Sequence, residues 1–307
     1  VKDYVLNLEL VLPTGEIIWT GSNVLKNATG YNITQLIVGS EGTLGIVTKI
    51  VLRLIPHPKF DLLLLAPFNS LEKASEAVSA IFRAGITPSA MELMEIDAIT
   101  LATKMLDSTA FPLTEGLAAH LIIEVDGNNM DVLMNEMEAI SEVLANYEVG
   151  ELYFADDAQQ KNELWKIRRK ANEAAVAAGY TIEEDTVVPR AELPKLIKGV
   201  KALGEAKGFK VVCYGHAGDG NLHIRINHPT IKKSFESEEM KLILNELFKL
   251  IHTLGGTISG EHGIGLIQKS FMPVMFDAIS MDLMRGIKKT FDPNGILNAG
   301  KIFDQNN

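Results

Sequence analysis

The pattern of hydrophobic and polar positions changes at Pro56-His57-Pro58. Before this point, partly alternating apolar stretches at 4–11, 16–20 and 46–55 predict strands, and a Pro-Thr-Gly turn joins the first two as a hairpin. After it, strand-like stretches alternate with stretches of helical spacing. Because proline interrupts helices and central strands, we predict a domain boundary at this position.

The longer part of the chain begins with two predicted βαβ-type units in series. Two such units predict an α+β fold, with a ferredoxin-like sheet that carries helices on one face. The predicted strands and helices of these units are, in order, 60–66, 70–83, 89–95, 118–125, 129–146 and 148–154. Further helices are predicted at 96–105, 158–178, 191–207, 233–254 and 278–289, and further strands at 181–188, 209–215 and 222–226.

Composition and charge exclude several classes of protein. With 47% hydrophobic residues among 307, the chain can build a substantial core and is not disordered by composition. Its net charge of −10 argues against nucleic acid as a partner, since phosphate binding needs clustered Lys and Arg. Cys213 is the only cysteine, which excludes an intrachain disulfide and indicates a reducing compartment. We therefore expect a cytoplasmic protein, either free or peripheral at the membrane.

The first residue is Val1, and it leads directly into a strand-like pattern. We therefore expect the chain to be a piece of a longer protein.

Two Gly-rich segments concentrate the candidate chemistry. Gly215–His223 contains His216 and His223, and Gly260–Gly265 contains Glu261 and His262. The Gly-Asp-Gly-Asn turn returns the chain so that His216 and His223 lie at adjacent strand ends, and Glu261 would complete a set of two His and one carboxylate. Such a set suits Zn, Mn or Fe and leaves positions open for substrate. His262, next to Glu261, can then serve as general base.

A third candidate feature is one face of the predicted helix at 158–178, which has Asp156 or Asp157 as its N-cap. Trp165, Arg168 and Asn172 share this face because they are spaced three and four apart. An arginine on a helix is usually solvated, but a face that also carries Trp and Asn fits a lined pocket better.

The stretch from Gly39 to Gly45 contains three glycines within seven residues. It indicates either a tight turn packed on a neighbouring strand or a contact with a cofactor. The chain has no Gly-x-Gly-x-x-Gly fingerprint and no phosphate-binding loop of the Gly-Lys-Ser/Thr type, so a nicotinamide site is unsupported.

At these motifs the chain resembles the FAD-linked oxidase family of vanillyl-alcohol-oxidase-like flavoproteins. The resemblance rests on 38–48, 215–223, 260–265 and 291–301, and it extends over essentially the whole chain. It is strongest to the glycolate oxidases, D-lactate dehydrogenases and D-2-hydroxyglutarate dehydrogenases. It implies that 1–56 is the C-terminal part of an FAD-binding domain, and that 57–307 is the cap domain, a large antiparallel sheet covered by helices.

The resemblance also implies a reaction and the residues that perform it. A metal held by His216, His223 and Glu261 binds a small D-2-hydroxy acid, and Arg168 pairs with the substrate carboxylate. His262 accepts the hydroxyl proton, and hydride passes to FAD. The residues implied to contact FAD are Gly39, Ser40, Glu41, Gly42, Gly45, Ile46, Val47 and Asn298.

Two positions depart from the dicarboxylate-oxidising members. Arg225 stands where those members have Asn, and Glu183 lies near their basic residue for the distal carboxylate. Glycolate or D-lactate is therefore the preferred substrate. The implied partners are an Fe–S protein or an electron-transfer flavoprotein as acceptor, with assembly as a homodimer or within an oxidase complex.

Three alternatives stay open. The same three ligands could activate water in a metal-dependent hydrolase. The isolated chain could instead be an inactive cap that lacks most of the FAD site, or a binding module of a multi-subunit oxidase.

Overall fold

The computed structural model describes residues 2–155, 157–233 and 237–304. It divides into two compact units, of which the first is Val1–His57 with His262–Asn307 and the second is Pro58–Glu261. The domain boundaries inferred from the sequence, 1–56 and 57–307, stay a prediction.

The first unit contains a three-stranded antiparallel sheet, and its predicted hairpin is confirmed. The elements of this unit are β1 Val5–Val11, β2 Ile17–Trp19, α1 Ile33–Ile37, β3 Ile46–Leu52, α8 Met272–Met275 and α9 Ala278–Phe291. Strand β1 lies between β2 and β3, and its buried Leu8 and Leu10 pack with Ile37 and Leu44. The short helices α1 and α8 were not predicted.

The second unit is built on a seven-stranded antiparallel sheet, which confirms the large antiparallel sheet that the resemblance implied. Its strands are β4 Phe60–Phe68, β5 Ala90–Glu95, β6 Ala119–Gly127, β7 Tyr153–Ala155, β8 Ile182–Val187, β9 Lys210–Gly215 and β10 Asn221–Asn227. They lie in the order β7-β4-β6-β5-β9-β10-β8. The predicted strand at 148–154 is wrong in its first part, because Glu148 adopts a left-handed φ of 56° and leaves the extended conformation.

Six helices of the described residues cover this sheet. They are α2 Leu71–Arg83, α3 Ile96–Leu106, α4 Met130–Leu144, α5 Ala158–Ala177, α6 Leu193–Lys207 and α7 Glu238–Thr253. Asp157 is the N-cap of α5, and Asp156 lies outside the described residues. The helix predicted from 233 begins only at Glu238, after its N-cap Ser237, and 234–236 are not described. Among the described residues, no helix has both the length and the apolar character needed to cross a bilayer.

Helices lie on both faces of the sheet, which differs from the one-face prediction. The face that carries Leu63, Met94 and Tyr214 packs against α3 and α5. The alternate side chains point the other way, where Glu95 of β5 pairs with Lys201 of α6. Burial of the strands on both faces explains why β4 and β9 are nearly continuous apolar runs.

The sheet consists of two ferredoxin-like halves. Elements β4, α2, β5, β6, α4 and β7, in the sheet order β7-β4-β6-β5, form a complete βαββαβ unit, with α3 inserted between β5 and β6. Elements β8, α6, β9, β10 and α7 repeat it, and Thr257 after α7 forms a single bridge with Val187 of β8 where a fourth strand would lie. The sequence predicted only the first half.

The two halves join where β5 pairs with β9. The register places Leu93 opposite Gly215 and Met94 opposite Tyr214. Glu92 and His216 are the next residues along each strand, so this junction brings the first histidine motif beside an acidic residue of the other half. Cys213 of β9 is fully buried in the core, and burial raises the pKa of its thiol.

Gly220 lies in the turn between the two histidines, and replacing it tests how closely this turn approaches the neighbouring backbone. Its φ is 76°, and a Cβ would lie 2.0 Å from the carbonyl oxygen of Val188. Gly208, at the end of α6, has a similar φ of 74° but open space around it. We expect Gly208→Ala to lower the free energy of unfolding by about 1–2 kcal/mol through the left-handed conformation alone. Gly220→Ala should cost a further 1–3 kcal/mol or so, because the clash is with backbone.

Urea unfolding followed by circular dichroism measures both variants. Equal losses in the two variants would contradict the close approach of Gly220 to β8.

Candidate functional site

His216 and His223 lie at the end of one strand and within the next. His216 follows β9 directly, a short turn at Ala217–Asp219 reverses the chain, and His223 occupies the third position of β10. The two imidazole rings are 5.7 Å apart between centroids. The structure thus brings together the two histidines that the sequence analysis paired.

Glu261 joins them through its carboxylate. Its Oε1 lies 3.7 Å from Nε2 of His216 and 3.6 Å from Nε2 of His223. One ligand atom from each of the three residues lies within 4.8 Å of the other two. Metal–ligand bonds of about 2.0–2.2 Å place neighbouring ligand atoms roughly 3–3.5 Å apart, so these side chains need only a small inward movement to fit one divalent cation.

Asp185 anchors the segment that carries Glu261. This carboxylate is almost fully buried on β8, directly opposite His223 in the strand register. It accepts hydrogen bonds from the backbone N–H of Glu261 at 2.7 Å and of Gly260 at 3.1 Å, and from the side chain of Asn221 at 2.6 Å. The position of Glu261 is therefore set by a residue that the sequence analysis did not single out.

Glu92 is bound to both His216 and Arg168. Its Oε1 lies 2.6 Å from Nδ1 of His216, and its Oε2 accepts a hydrogen bond from Nε of Arg168 at 2.7 Å. Burial alone would raise the pKa of Glu92, but the hydrogen bond with His216 and the charge of Arg168 outweigh it and lower that pKa. The same hydrogen bond raises the pKa of His216.

Glu183 stands in a similar relation to His223. Its Oε1 lies 3.4 Å from Nδ1 of His223, and its Oε2 pairs with Nη2 of Arg225 at 2.5 Å. Arg225 is the cross-strand neighbour of Glu183 and also contacts Asn172 and the hydroxyl of Tyr214. Burial acts to raise the pKa of Glu183, but the contacts with His223 and Arg225 reverse the effect and lower it. Both histidines therefore have a carboxylate beside Nδ1, while Nε2 lies nearest to Glu261.

The three side chains predicted to share one face of α5 do so. Trp165 donates to Glu124, Arg168 donates to Glu92, and the exposed Asn172 accepts from the Tyr214 hydroxyl, so all three contact residues of the sheet. A pocket lined by this face stays a prediction. The guanidinium of Arg168 lies 5.3 Å from the centroid of the Tyr214 ring. Its Nη2 is buried and has no hydrogen-bond partner among the residues that the structure describes. Arg168 therefore retains a donor for an anionic ligand.

The Gly-rich stretch of the first unit borders a cavity of about 510 Å³. Gly45 is also needed for packing, because a Cβ there would lie 2.6 Å from the Leu10 side chain of β1. The packing interpretation of this stretch thus has structural support, and the contact with a cofactor stays a prediction. Of the residues predicted to contact FAD, those that line the cavity are Ser40, Gly42, Gly45, Ile46, Val47 and Asn298.

Gly39 and Glu41 do not line this cavity. The Glu41 carboxylate accepts hydrogen bonds from the backbone N–H of Ile264 at 2.7 Å and of Gly265 at 2.8 Å, and the Asn298 side chain donates to the Glu41 carbonyl. Glu41 therefore holds the loop that begins at His262 and belongs to the first unit. His262 itself is exposed. The side chain of Glu41 has a structural use that its predicted role did not include.

The sequence analysis missed Glu92 and Asp185 and did not connect Glu183 with His223. A signal was present, because Glu183, Glu184 and Asp185 form an acidic run within a predicted strand. Glu92 and Glu95 likewise interrupt an otherwise apolar strand. Buried carboxylates must be paired or hydrogen-bonded, so acidic residues at strand positions indicate a buried polar site.

Comparisons of sequence identify relatives of the chain. Residues 57–302 match the family described as FAD linked oxidases, C-terminal domain. The chain is 35% identical over 305 residues to a D-lactate dehydrogenase of Anaerostipes hadrus, which covers 98% of this chain and 64% of the relative. It is 35% identical over 307 residues to the glycolate oxidase subunit GlcD of Bacillus subtilis, covering 98% and 63%. The chain thus spans slightly less than two thirds of the length of these relatives.

Comparisons of structure agree on the fold. The chain matches 4-ethylphenol oxidase from Gulosibacter chungangensis with a TM-score of 0.71 at 16% identity, over 98% of this chain and 66% of the other. It matches p-cresol methylhydroxylase with a TM-score of 0.71 at 17% identity, over 99% and 66%. At such low identity these similarities concern the fold alone.

Replacing Asp185 by asparagine tests the anchor of the Glu261 segment. The amide keeps one acceptor oxygen for three donors, so we expect a loss of about 1–3 kcal/mol in the free energy of unfolding. The backbone amides of Gly260 and Glu261 should also exchange their hydrogens faster. As a control, Glu238→Gln removes an exposed carboxylate paired with Lys241 and should change stability by less than about 0.5 kcal/mol. Unchanged exchange at Gly260 and Glu261 would contradict the anchoring role.

Proposed function

Because the chain belongs to the FAD linked oxidases, whose C-terminal domain it contains, we propose that it serves the oxidation of a small D-2-hydroxy acid to the 2-oxo acid. Glycolate and D-lactate are the substrates that we favour. The names of relatives at about a third identity, a D-lactate dehydrogenase and a glycolate oxidase subunit, support this choice.

The main support is the convergence of three metal-binding side chains in one unit with an arginine nearby. His216, His223 and Glu261 present two imidazoles and a carboxylate to one point. Arg168 is connected to His216 through Glu92 and keeps an unused donor. A hydroxyl beside a carboxylate, as in a 2-hydroxy acid, matches a cation beside a guanidinium.

Each residue has a distinct task in this proposal. His216, His223 and Glu261 hold the cation, and Arg168 binds and orients the substrate carboxylate. His262 accepts the proton of the substrate hydroxyl, since imidazole can take up a proton near neutral pH. A divalent cation held by these ligands would polarise that hydroxyl, and bound FAD would supply the acceptor for the hydride equivalent from C2.

The flavin contacts are proposed in the first unit. The 510 Å³ cavity has apolar walls from Ile46 and Val47 and exposed backbone at Gly42, which suits a planar apolar ring system. Gly39 and Glu41 would contact FAD outside this cavity, and Glu41 would do so through its backbone because its carboxylate holds the 264–265 amides. The proposed contacts are Gly39, Ser40, Glu41, Gly42, Gly45, Ile46, Val47 and Asn298.

The ion pair of Arg225 with Glu183, called here the Arg225 pair, favours a substrate with a single carboxylate. The Arg225 guanidinium is buried and already bound by Glu183, Asn172 and Tyr214. Its positive charge is therefore neutralised beside His223 and offers little attraction to a second substrate carboxylate. This supports glycolate or D-lactate over a dicarboxylic hydroxy acid.

A metal-dependent hydrolase would use the same three ligands but would need neither Arg168 nor the cavity of the first unit. For electron transfer, we propose an Fe–S protein or an electron-transfer flavoprotein as acceptor, and assembly as a homodimer or within an oxidase complex. The designation of one relative as a subunit supports the latter.

Anaerobic reduction of the flavin tests the proposed reaction. The FAD-loaded protein is mixed with glycolate, D-lactate, L-lactate or D-2-hydroxyglutarate, and the flavin absorbance is followed. We expect glycolate or D-lactate to bleach the flavin, with L-lactate as the stereochemical control. Absence of bleaching by both would contradict the proposal, and faster bleaching by the dicarboxylate would contradict the role of the Arg225 pair. A chain that binds no FAD would favour the inactive-cap alternative.

A further inference from the structure

Glu92 connects two functional side chains that come from different parts of the fold. It lies on β5 of the first ferredoxin-like half, His216 follows β9 of the second, and Arg168 lies on α5. Each carboxylate oxygen serves one of them, at 2.6 Å from Nδ1 of His216 and 2.7 Å from Nε of Arg168. The carboxylate is buried, so these are its principal partners.

We propose that Glu92 is a positioning residue that sets the metal-binding nitrogen of His216 and the orientation of Arg168 at the same time. This inference rests on the proposed function, in which His216 binds a cation and Arg168 a substrate carboxylate. Glu92 itself contacts neither ligand.

The effect on His216 concerns its tautomer. A neutral imidazole carries one proton, and its other nitrogen has the free lone pair. A carboxylate only accepts hydrogen bonds, so Glu92 holds the proton on Nδ1. The lone pair is then on Nε2, the nitrogen that lies 3.7 Å from Glu261. Carboxylates bound to the second nitrogen of a metal-binding histidine have this effect in many metal sites.

The effect on Arg168 concerns which of its donors remain available. Glu92 takes the Nε–H, and the planar guanidinium then fixes the direction of its terminal nitrogens. Nη2 is the buried donor without a partner among the described residues. One carboxylate therefore orients His216, which binds the cation, and Arg168, which binds the substrate, relative to each other.

Glutamine at this position cannot replace glutamate, although it has the same shape. Its amide offers one acceptor oxygen and one NH₂ group, which only donates. Arg168 is always a donor, so the oxygen faces Arg168 and the NH₂ faces Nδ1 of His216. Nδ1 must then accept, which moves the imidazole proton to Nε2 and blocks the metal-binding nitrogen.

Glu95 provides a matched control on the same strand. It is also buried and also serves two donors, Lys201 on one oxygen and the backbone N–H of Cys213 on the other. It faces the opposite side of the sheet, away from His216. Glu95→Gln thus disturbs an equivalent pair of contacts without touching the site.

The first measurement is the zinc affinity of the metal-free 307-residue chain, by competition with a chromophoric chelator. We expect Glu92→Gln to weaken zinc binding by about 10–100-fold, the usual effect of removing such a partner. Glu95→Gln should leave the zinc affinity unchanged, even if it lowers the unfolding temperature as much. Equal zinc affinity in Glu92→Gln and Glu95→Gln would overturn the proposal.

Glu92→Asp keeps two acceptor oxygens and is the second variant if Glu92→Gln does not fold. Its shorter side chain draws the carboxylate back, so its zinc affinity should lie measurably below that of Glu95→Gln. No difference between these two variants would likewise count against Glu92.

The second measurement reads the tautomer without any metal. In ¹⁵N-histidine-labelled chain at a pH where His216 is neutral, the nitrogen shifts assign the proton to Nδ1 or Nε2. We expect Nδ1–H in the parent chain and Nε2–H in Glu92→Gln. An Nε2–H tautomer in the parent chain would overturn the proposal. The predicted tautomers without zinc binding in the parent chain would instead contradict the metal site of the proposed function and leave the role of Glu92 intact.

Discussion

The antiparallel pairing of β5 with β9 is the interaction on which the candidate site depends. It joins the two ferredoxin-like halves into one seven-stranded sheet, and its register of Leu93 with Gly215 places Glu92 beside His216. A shift of one residue would turn Glu92 to the opposite face, because side chains alternate along a strand. The site is therefore a consequence of how two similar halves meet.

The burial of charged groups explains why the residues around the site are linked by so many hydrogen bonds and ion pairs. Glu92, Asp185 and Glu183 are largely withdrawn from water, and each is satisfied by an arginine, by backbone N–H groups or by an imidazole. Removing one partner of such a buried pair costs about 3–5 kcal/mol, since the other charge is left without compensation. The cost of leaving a buried charge unpaired thus also holds in place the groups that orient the histidines and Glu261.

Local features of this site could be read from the sequence, because they depend on short-range geometry. The Gly-Asp-Gly-Asn turn predicted that His216 and His223 would meet, and helical spacing predicted the shared face of Trp165, Arg168 and Asn172. The strands and most helices were also predicted, since their apolar periodicity is strong.

Features that depend on tertiary pairing could not be read in the same way. Glu92 and His216 are 124 positions apart, and only the β5–β9 register brings them together. Helices cover the second face of the sheet because α3 and α5 dock there. Nothing in their local sequence indicates this docking. Asp185 and Glu183 had a compositional signal, an acidic run in a strand, but their partners could not be named without the fold. The assignment of metal and flavin contacts stays a prediction.

The proposed function requires that His216, His223 and Glu261 form one metal centre. Anomalous X-ray diffraction at the zinc edge, from crystals of the 307-residue chain grown with zinc, tests it most directly. We expect an anomalous peak about 2.0–2.2 Å from Nε2 of His216, Nε2 of His223 and the Glu261 carboxylate. Zinc bound only elsewhere, with these three side chains uncoordinated, would contradict it.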